Sequence, residues 1–180
     1  MLSNGTKPVA NYEKGVLRAR AATLLILGLP GCTYLYQGEE LALPEVPNLP
    51  ESELADPIWK RTSGKEKGRD GCRVALPWDE ESAHENFKGL SAAVQEGNSE
   101  SMLNYYRKAI ALRKELCVNE EIEFLDTPKG VIGFTRGTNW YVYTNFNEAP
   151  VTLPSGKVLI SSAPIVDNQI PASATVWVSN

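Results

Sequence analysis

Apolar residues crowd into Leu24-Leu25-Ile26-Leu27, stop at Pro30-Gly31, and resume in the short aromatic segment Cys32-Thr33-Tyr34-Leu35-Tyr36. Upstream, Val16, Ala19 and Thr23 recur on one side of a 3.6-residue period, and Asn11 stands where an N-cap would, with Glu13 suited to the positive first turn. The pattern predicts a helix over Tyr12 to Gly28 whose C-terminal half is buried on most sides. Proline disfavours a helical residue before it and lacks the N–H a helix needs, while Gly31 can take backbone angles closed to other residues; the pair therefore ends the helix. The β-branched and aromatic content of Cys32–Tyr36 predicts a buried strand, which Gln37-Gly38-Glu39-Glu40 turns into polar loop.

From 37 to 98 the chain is rich in Pro, Gly and charge and shows no sustained period. It is long for a casual connection, and such loops are commonly functional. Trp59, Leu76, Trp78 and Phe87 are its expected anchors. Bottom-up, the segment is equally a flap over a binding site or a solvent-facing insertion held by its tryptophans. Helical spacing returns over about 99–116 (Met102, Leu103, Tyr106, Ala109, Ile110, Leu116), with Asn98 or Ser99 as cap and Arg113 and Lys114 at the negative end. This stripe reads as packing and not as a cofactor box.

Beyond residue 118 the period shortens to that of strands: 122–125, 131–136, 140–145, 151–153, 157–161 and 174–178, with Gly137-Thr138-Asn139 as a hairpin turn. Short strands without intervening helices predict an antiparallel β-sandwich, and so a class change near 118. Trp140, Tyr141 and Tyr143 alternate on one of these strands, as core residues or as sugar-stacking platforms; core packing is the better reading.

Composition narrows the classes. The 180 residues, 42% hydrophobic with a net charge of −4, can form a packed core and carry no basic stripe, so nucleic acid and anionic membrane are poor partners. No apolar run approaches the roughly 20 residues a bilayer needs, and no signal peptide is evident. Cys32, Cys72 and Cys117 are odd in number, far apart and without metal-ligand spacing, which fits reduced thiols in a cytoplasm and implies neither a metal nor a cofactor. Asn4-Gly5-Thr6 matches a glycosylation sequon, a reading that the absence of a secretion signal disfavours.

Leu29-Pro30-Gly31 followed by Tyr36-Gln37-Gly38-Glu39-Glu40 resembles the eighth barrel strand of the α-amylase superfamily, the family 13 glycoside hydrolases. Asp56-Pro57-Ile58-Trp59, Gly68-Arg69-Asp70-Gly71-Cys72-Arg73 and Leu76-Pro77-Trp78-Asp79 resemble the loop after that strand in the α-glucosidase and oligo-glucosidase branch. The resemblance implies that residues 1–118 are the last part of a (β/α)8 TIM barrel (a helix, strand eight, a long loop and helix eight) and that 119–180 are the β-sandwich called domain C. It also implies that the catalytic acids, which follow strands four, five and seven in this family, lie outside this chain. His84, followed by Glu85-Asn86, does not match the family's Asn-His-Asp motif. The expected whole enzyme is a retaining α-glucosidase acting on α-linked gluco-oligosaccharides. This chain by itself is expected to be inactive, and to self-associate unless the missing N-terminal barrel segment partners it. The alternative is a truncated or split product that serves only in association.

Arg69 is the leading site residue. On a sharp turn between glycines its planar fork can be presented to hydroxyl groups or a carboxylate. On the residues alone, pairing with Asp70 or Glu66 to fix the loop is the favoured reading; the resemblance favours contact with the nonreducing glucose instead. Glu39 and Glu40 are not a glycosidase acid pair, because a retaining enzyme needs carboxyls about 5 Å apart flanking the sugar, and neighbours on one loop are poorly placed for that. Gln37, Glu39 and Asp70 are expected to support the site, with Glu39 holding a neighbouring loop.

Overall fold

A computed structural model describes residues 11–116, 120–137 and 139–180. By contacts the chain divides into two compact units, 1–33 with 108–180, and 34–107. The predicted class change falls on 117–119, outside the described residues, as do the sequon, Cys117 and Thr138 of the hairpin turn.

In the first unit, helix α1 (Tyr12–Gly28) begins at Asn11, whose Oδ1 accepts from the Lys14 amide at 2.9 Å, and ends at Leu29, already extended before Pro30. Gly31 follows at φ +82°. The helix packs on an antiparallel sheet of five strands in the order β1-β2-β3-β7-β5, namely Glu123–Phe124, Val131–Thr135, Tyr141–Asn145, Ala174–Ser179 and Lys157–Ser161. Register pairs Phe134 with Val142 and Val142 with Trp177, so these three side chains share a face. They meet the α1 side: Gly28 lies so close to Val142 that an added Cβ would sit 2.9 Å from its Cγ2. Trp140 and Trp177 pack edge to face, 4.9 Å between centroids.

The opposite face is closed by a two-stranded ribbon, β4 (Val151–Thr152) with β6 (Gln169–Ile170). Tyr143, Val176 and Val178 are buried there with Leu153 and Ile170. The β-rich region is thus a sheet covered by a ribbon on one face and by α1 on the other. β6 has no counterpart among the strands predicted from the sequence.

Two expectations about the N-terminal segment fail. The C-terminal half of α1 is buried along a stripe (Ala21, Thr23, Leu24, Leu27, Gly28) and not all round; Ile26 is exposed. Cys32–Tyr36 is not a strand, and Tyr34 is 92% exposed. A strand exists only through ladder partners, and among the described residues nothing pairs with this segment.

The second unit is a loop-built body with its own small core of Val46, Leu49, Ala83 and Phe87. Short helices α2 (Pro57–Arg61) and α3 (Ala92–Glu96) punctuate it, and the division between units falls within α4 (Met102–Leu116). The Asn104 amide bonds to the Ser101 hydroxyl, so α4 starts three residues later than its spacing implied. The buried Gln95 amide ties this unit together: its Nε2 donates to the Leu41 and Leu90 carbonyls, and its Oε1 accepts from Leu103 N. Of the expected anchors Phe87 is buried, but Trp78 is 69% exposed.

Candidate functional site

The loop carrying Arg69 is built on two carboxylates. Asp56 caps α2, accepting from the Ile58 amide at 3.1 Å, with Pro57 in the first helical position where no N–H is required. Its Oδ2 is also 3.4 Å from the Arg69 amide and 3.3 Å from Arg73 Nη1. The Ile58 N–H, the Arg69 N–H and the positive fields of Arg73 and Arg69 together hold the Asp56 carboxyl below the usual carboxylate range, against a smaller opposing effect of burial. Asp70 is buried, and its Oδ2 accepts from both the Ala55 and Asp56 amides, at 2.9 and 2.8 Å, while Oδ1 meets Arg73 Nη1 at 3.3 Å.

Glycines make this closeness possible. Gly68 stands at φ +73°, and a Cβ there would lie 2.5 Å from Asp56 Cγ. At Gly71 a Cβ would lie 2.5 Å from the Val46 carbonyl, whose residue donates its own amide to Gly71 O at 3.0 Å. Substitution at either position would open the loop.

Arg73, and not Arg69, therefore pairs with Asp70. Among the described residues the Arg69 guanidinium makes no hydrogen bond or ion pair, and the residue is exposed. Gln37 and Glu39 line a cleft of about 210 Å3 together with Glu45, Cys72 and Phe87, but Arg69 is not among its lining residues. The Glu39 side chain makes no hydrogen bond among the described residues; it is Glu40 that accepts from the Gly38 amide, at 2.8 Å. His84 caps a local turn, its Nδ1 accepting from Asn86 N at 3.2 Å. No three His, Cys, Asp or Glu side chains among the described residues converge as a metal-ligand set. Sequence reasoning missed the roles of Asp56 and Arg73, although Asp before Pro is a recognisable helix-start signal.

The profile of the family described as "Alpha amylase, catalytic domain" matches residues 6–120. The chain belongs to the α-amylase family. A "Probable alpha-glucosidase" of Rhizobium meliloti (strain 1021) is 35% identical over 158 residues, covering 77% of this chain and 28% of the relative. A "Probable oligo-1,6-glucosidase 2" of Bacillus subtilis (strain 168) is 25% identical over 133 residues, covering 58% of this chain and 23% of that protein. Among solved structures, an alpha-glucosyl transfer enzyme, XgtA, superposes with a TM-score of 0.71 at 27% identity, over 91% of this chain and 35% of its own. The chain thus spans less than a third of the length of these curated relatives. No helix among the described residues is long and apolar enough to cross a membrane.

Proposed function

We propose that the chain is the C-terminal portion of a retaining α-glucosidase acting on α-linked gluco-oligosaccharides, and that Arg69 is the residue with which it touches the sugar. The observation that carries this reading is the division of labour in the loop: Arg73 satisfies Asp56 and Asp70, which leaves the Arg69 fork unpaired for hydroxyl groups. In this reading residues 1–118 complete a (β/α)8 catalytic barrel and 119–180 form its domain C. The α-glucosidase relatives support the substrate class.

In such an enzyme one carboxylate attacks the anomeric carbon while a carboxylic acid protonates the departing oxygen. Water then attacks the glycosyl-enzyme as the second group takes its proton, and glucose leaves with retained configuration. No pair in this chain is proposed for those roles. Arg69 would orient the nonreducing glucose, with Gln37, Glu39 and Asp70 as support. The exposed thiols of Cys32 and Cys72 are in keeping with a reducing cytoplasm.

The test is a paired assay. The purified 180-residue chain should release no p-nitrophenol from p-nitrophenyl α-glucoside above a mock preparation. Supplied with the N-terminal barrel segment of the Rhizobium relative, it should hydrolyse the substrate, and Arg69→Ala should then raise KM. Hydrolysis by the chain alone, or an unchanged KM in the variant, overturns the reading.

A further inference from the structure

A single nitrogen, Arg73 Nη1, stands 3.3 Å from Asp56 Oδ2 and 3.3 Å from Asp70 Oδ1. The two carboxylates are largely withdrawn from water, their side chains 14% and 7% exposed, whereas the Arg73 side chain is 43% exposed. One cation thus reaches in from the surface and meets two negative charges. Carboxylates so placed take up whatever cation is in reach, because an unpaired charge out of water is costly.

Two arginines are in reach, and the local turn selects between them. Asp70–Cys72 is a 3-10 turn with Arg69 at its N-cap and Arg73 at its C-cap; the Cys72 amide donates to the Arg69 carbonyl at 3.1 Å and the Arg73 amide to that of Asp70 at 2.9 Å. At about three residues per turn, 70 and 73 lie in line, while 69 stands roughly a third of a turn away. Yet the Arg69 amide is 3.4 Å from Asp56 Oδ2, so its side chain springs from beside the same carboxylate. The Ile58 and Arg69 N–H groups do most to hold the Asp56 carboxyl low, and the charges that add to them are that of Arg73 and then that of Arg69. Lys67 is engaged elsewhere, its ammonium donating to the Pro47 carbonyl at 3.1 Å. Arg69 is therefore next in line for the place that Arg73 holds.

We infer that Arg73 is a positioning residue: by occupying Asp56 and Asp70 it keeps the Arg69 guanidinium from being drawn onto them, and so available for substrate. The consequence for catalysis rests on the reading of Arg69 as the sugar contact; the competition between the two arginines is a property of the loop alone. Removing an Arg73 that only braced the loop would loosen it and leave Arg69 freer. Removing an Arg73 that competes leaves Arg69 tied. The two roles differ in sign.

Modification of the whole 180-residue chain by p-hydroxyphenylglyoxal, with the labelled arginine located by tandem mass spectrometry, reads this sign. Arg69 should react faster than Arg73 in the parent, and Arg73→Met, which keeps most of the stem without the charge, should slow Arg69 by roughly two- to fivefold, the worth of a partly exposed ion pair. Arg73→Lys should restore the parent rate, since one ammonium can serve both oxygens as Nη1 does. Arg73→Gln gives the same reading should Arg73→Met fail to fold. In the enzyme reconstituted with the Rhizobium segment, Arg73→Met should raise KM by a similar factor at unchanged kcat, and should add nothing once Arg69 is alanine. Labelling of Arg69 that is unchanged or quickened in the uncharged variants overturns the inference and leaves the sugar contact standing, as does a KM that responds to Arg69→Ala but not to Arg73→Met. A KM unmoved by Arg69→Ala overturns the sugar contact, and with it the positioning role, even where the labelling is as expected.

Discussion

The Trp177 indole N–H donates to the Leu24 carbonyl at 3.0 Å, across 153 residues of chain, with both side chains fully buried. A carbonyl inside a helix ordinarily accepts from the amide four residues on, so a second donor here fixes where along α1 the sheet docks as well as how tightly. This bond makes the N-terminal helix part of the core of the β-rich unit. Trp177→Phe keeps an aromatic ring but leaves the indole's space and bond unfilled, and should cost about 1–3 kcal/mol. A urea midpoint unchanged from the parent would refute the role.

Gly28 and Val142 set the closeness of the same contact. Gly28→Ala places a methyl 2.9 Å from Val142 Cγ2 and 3.3 Å from Phe134 Cζ, and although alanine is the better helix former, overpacking should prevail, with a loss of about 1–3 kcal/mol. Val142→Ala combined with it should recover part of the loss relative to the sum of the single changes. Strict additivity in that double-mutant cycle would show that the two residues do not meet.

Arg113 closes the C-terminal end of α1, donating to the carbonyls of Leu27, Leu29 and Gly31, the last two at 2.7 Å each. These are orphan acceptors at the negative end of the helix dipole. Arg113→Ala should destabilise the chain by about 1.5–3 kcal/mol, and Arg113→Lys should recover only part, because a single ammonium cannot reproduce the fork. Equal thermal midpoints for the two variants would count against the fork geometry.

Asp56 predicts a pH dependence localised to the loop. Its folded pKa lies below its unfolded value, so its contribution is complete above about pH 4 and fades as pH falls through the lower, folded value. The Ile58 and Arg69 amide resonances should both move with one midpoint below 4, and Asp56→Asn should abolish the common transition. Midpoints at or above 4, or different for the two amides, would rule out a shared clamp.

The exposed Leu17, Ile26, Leu29 and Tyr34 lie on α1 and just beyond it. We expect them to drive self-association of the isolated chain, and Ile26→Glu with Leu17→Glu should lower the average mass seen by sedimentation. A monomer at tens of micromolar without those substitutions contradicts this.

Features governed by a local rule are legible in the residues alone. Asn11, Pro30 and Gly31 bound α1 to the residue because capping and proline chemistry act within a turn. Six of the seven strands after 118 are long enough, or flanked clearly enough by turn residues, to betray their period, as are Trp140 and Tyr143 as core. The motifs around Pro30-Gly31 and Gly68–Arg73 were sufficient for the family. Tertiary structure decided the rest. Cys32–Tyr36 has strand composition, but a strand needs partners and none is among the described residues. The exposed side of α1 could not be foreseen from an all-round apolar run, because which face is buried depends on what docks there. Arg69 and Arg73 are alike in sequence, both within reach of Asp70. Only the fold, by threading the backbone of Asp56 past Asp70 and bringing Gly68 against Asp56, gave the ion pairs to Arg73 and left Arg69 unpaired.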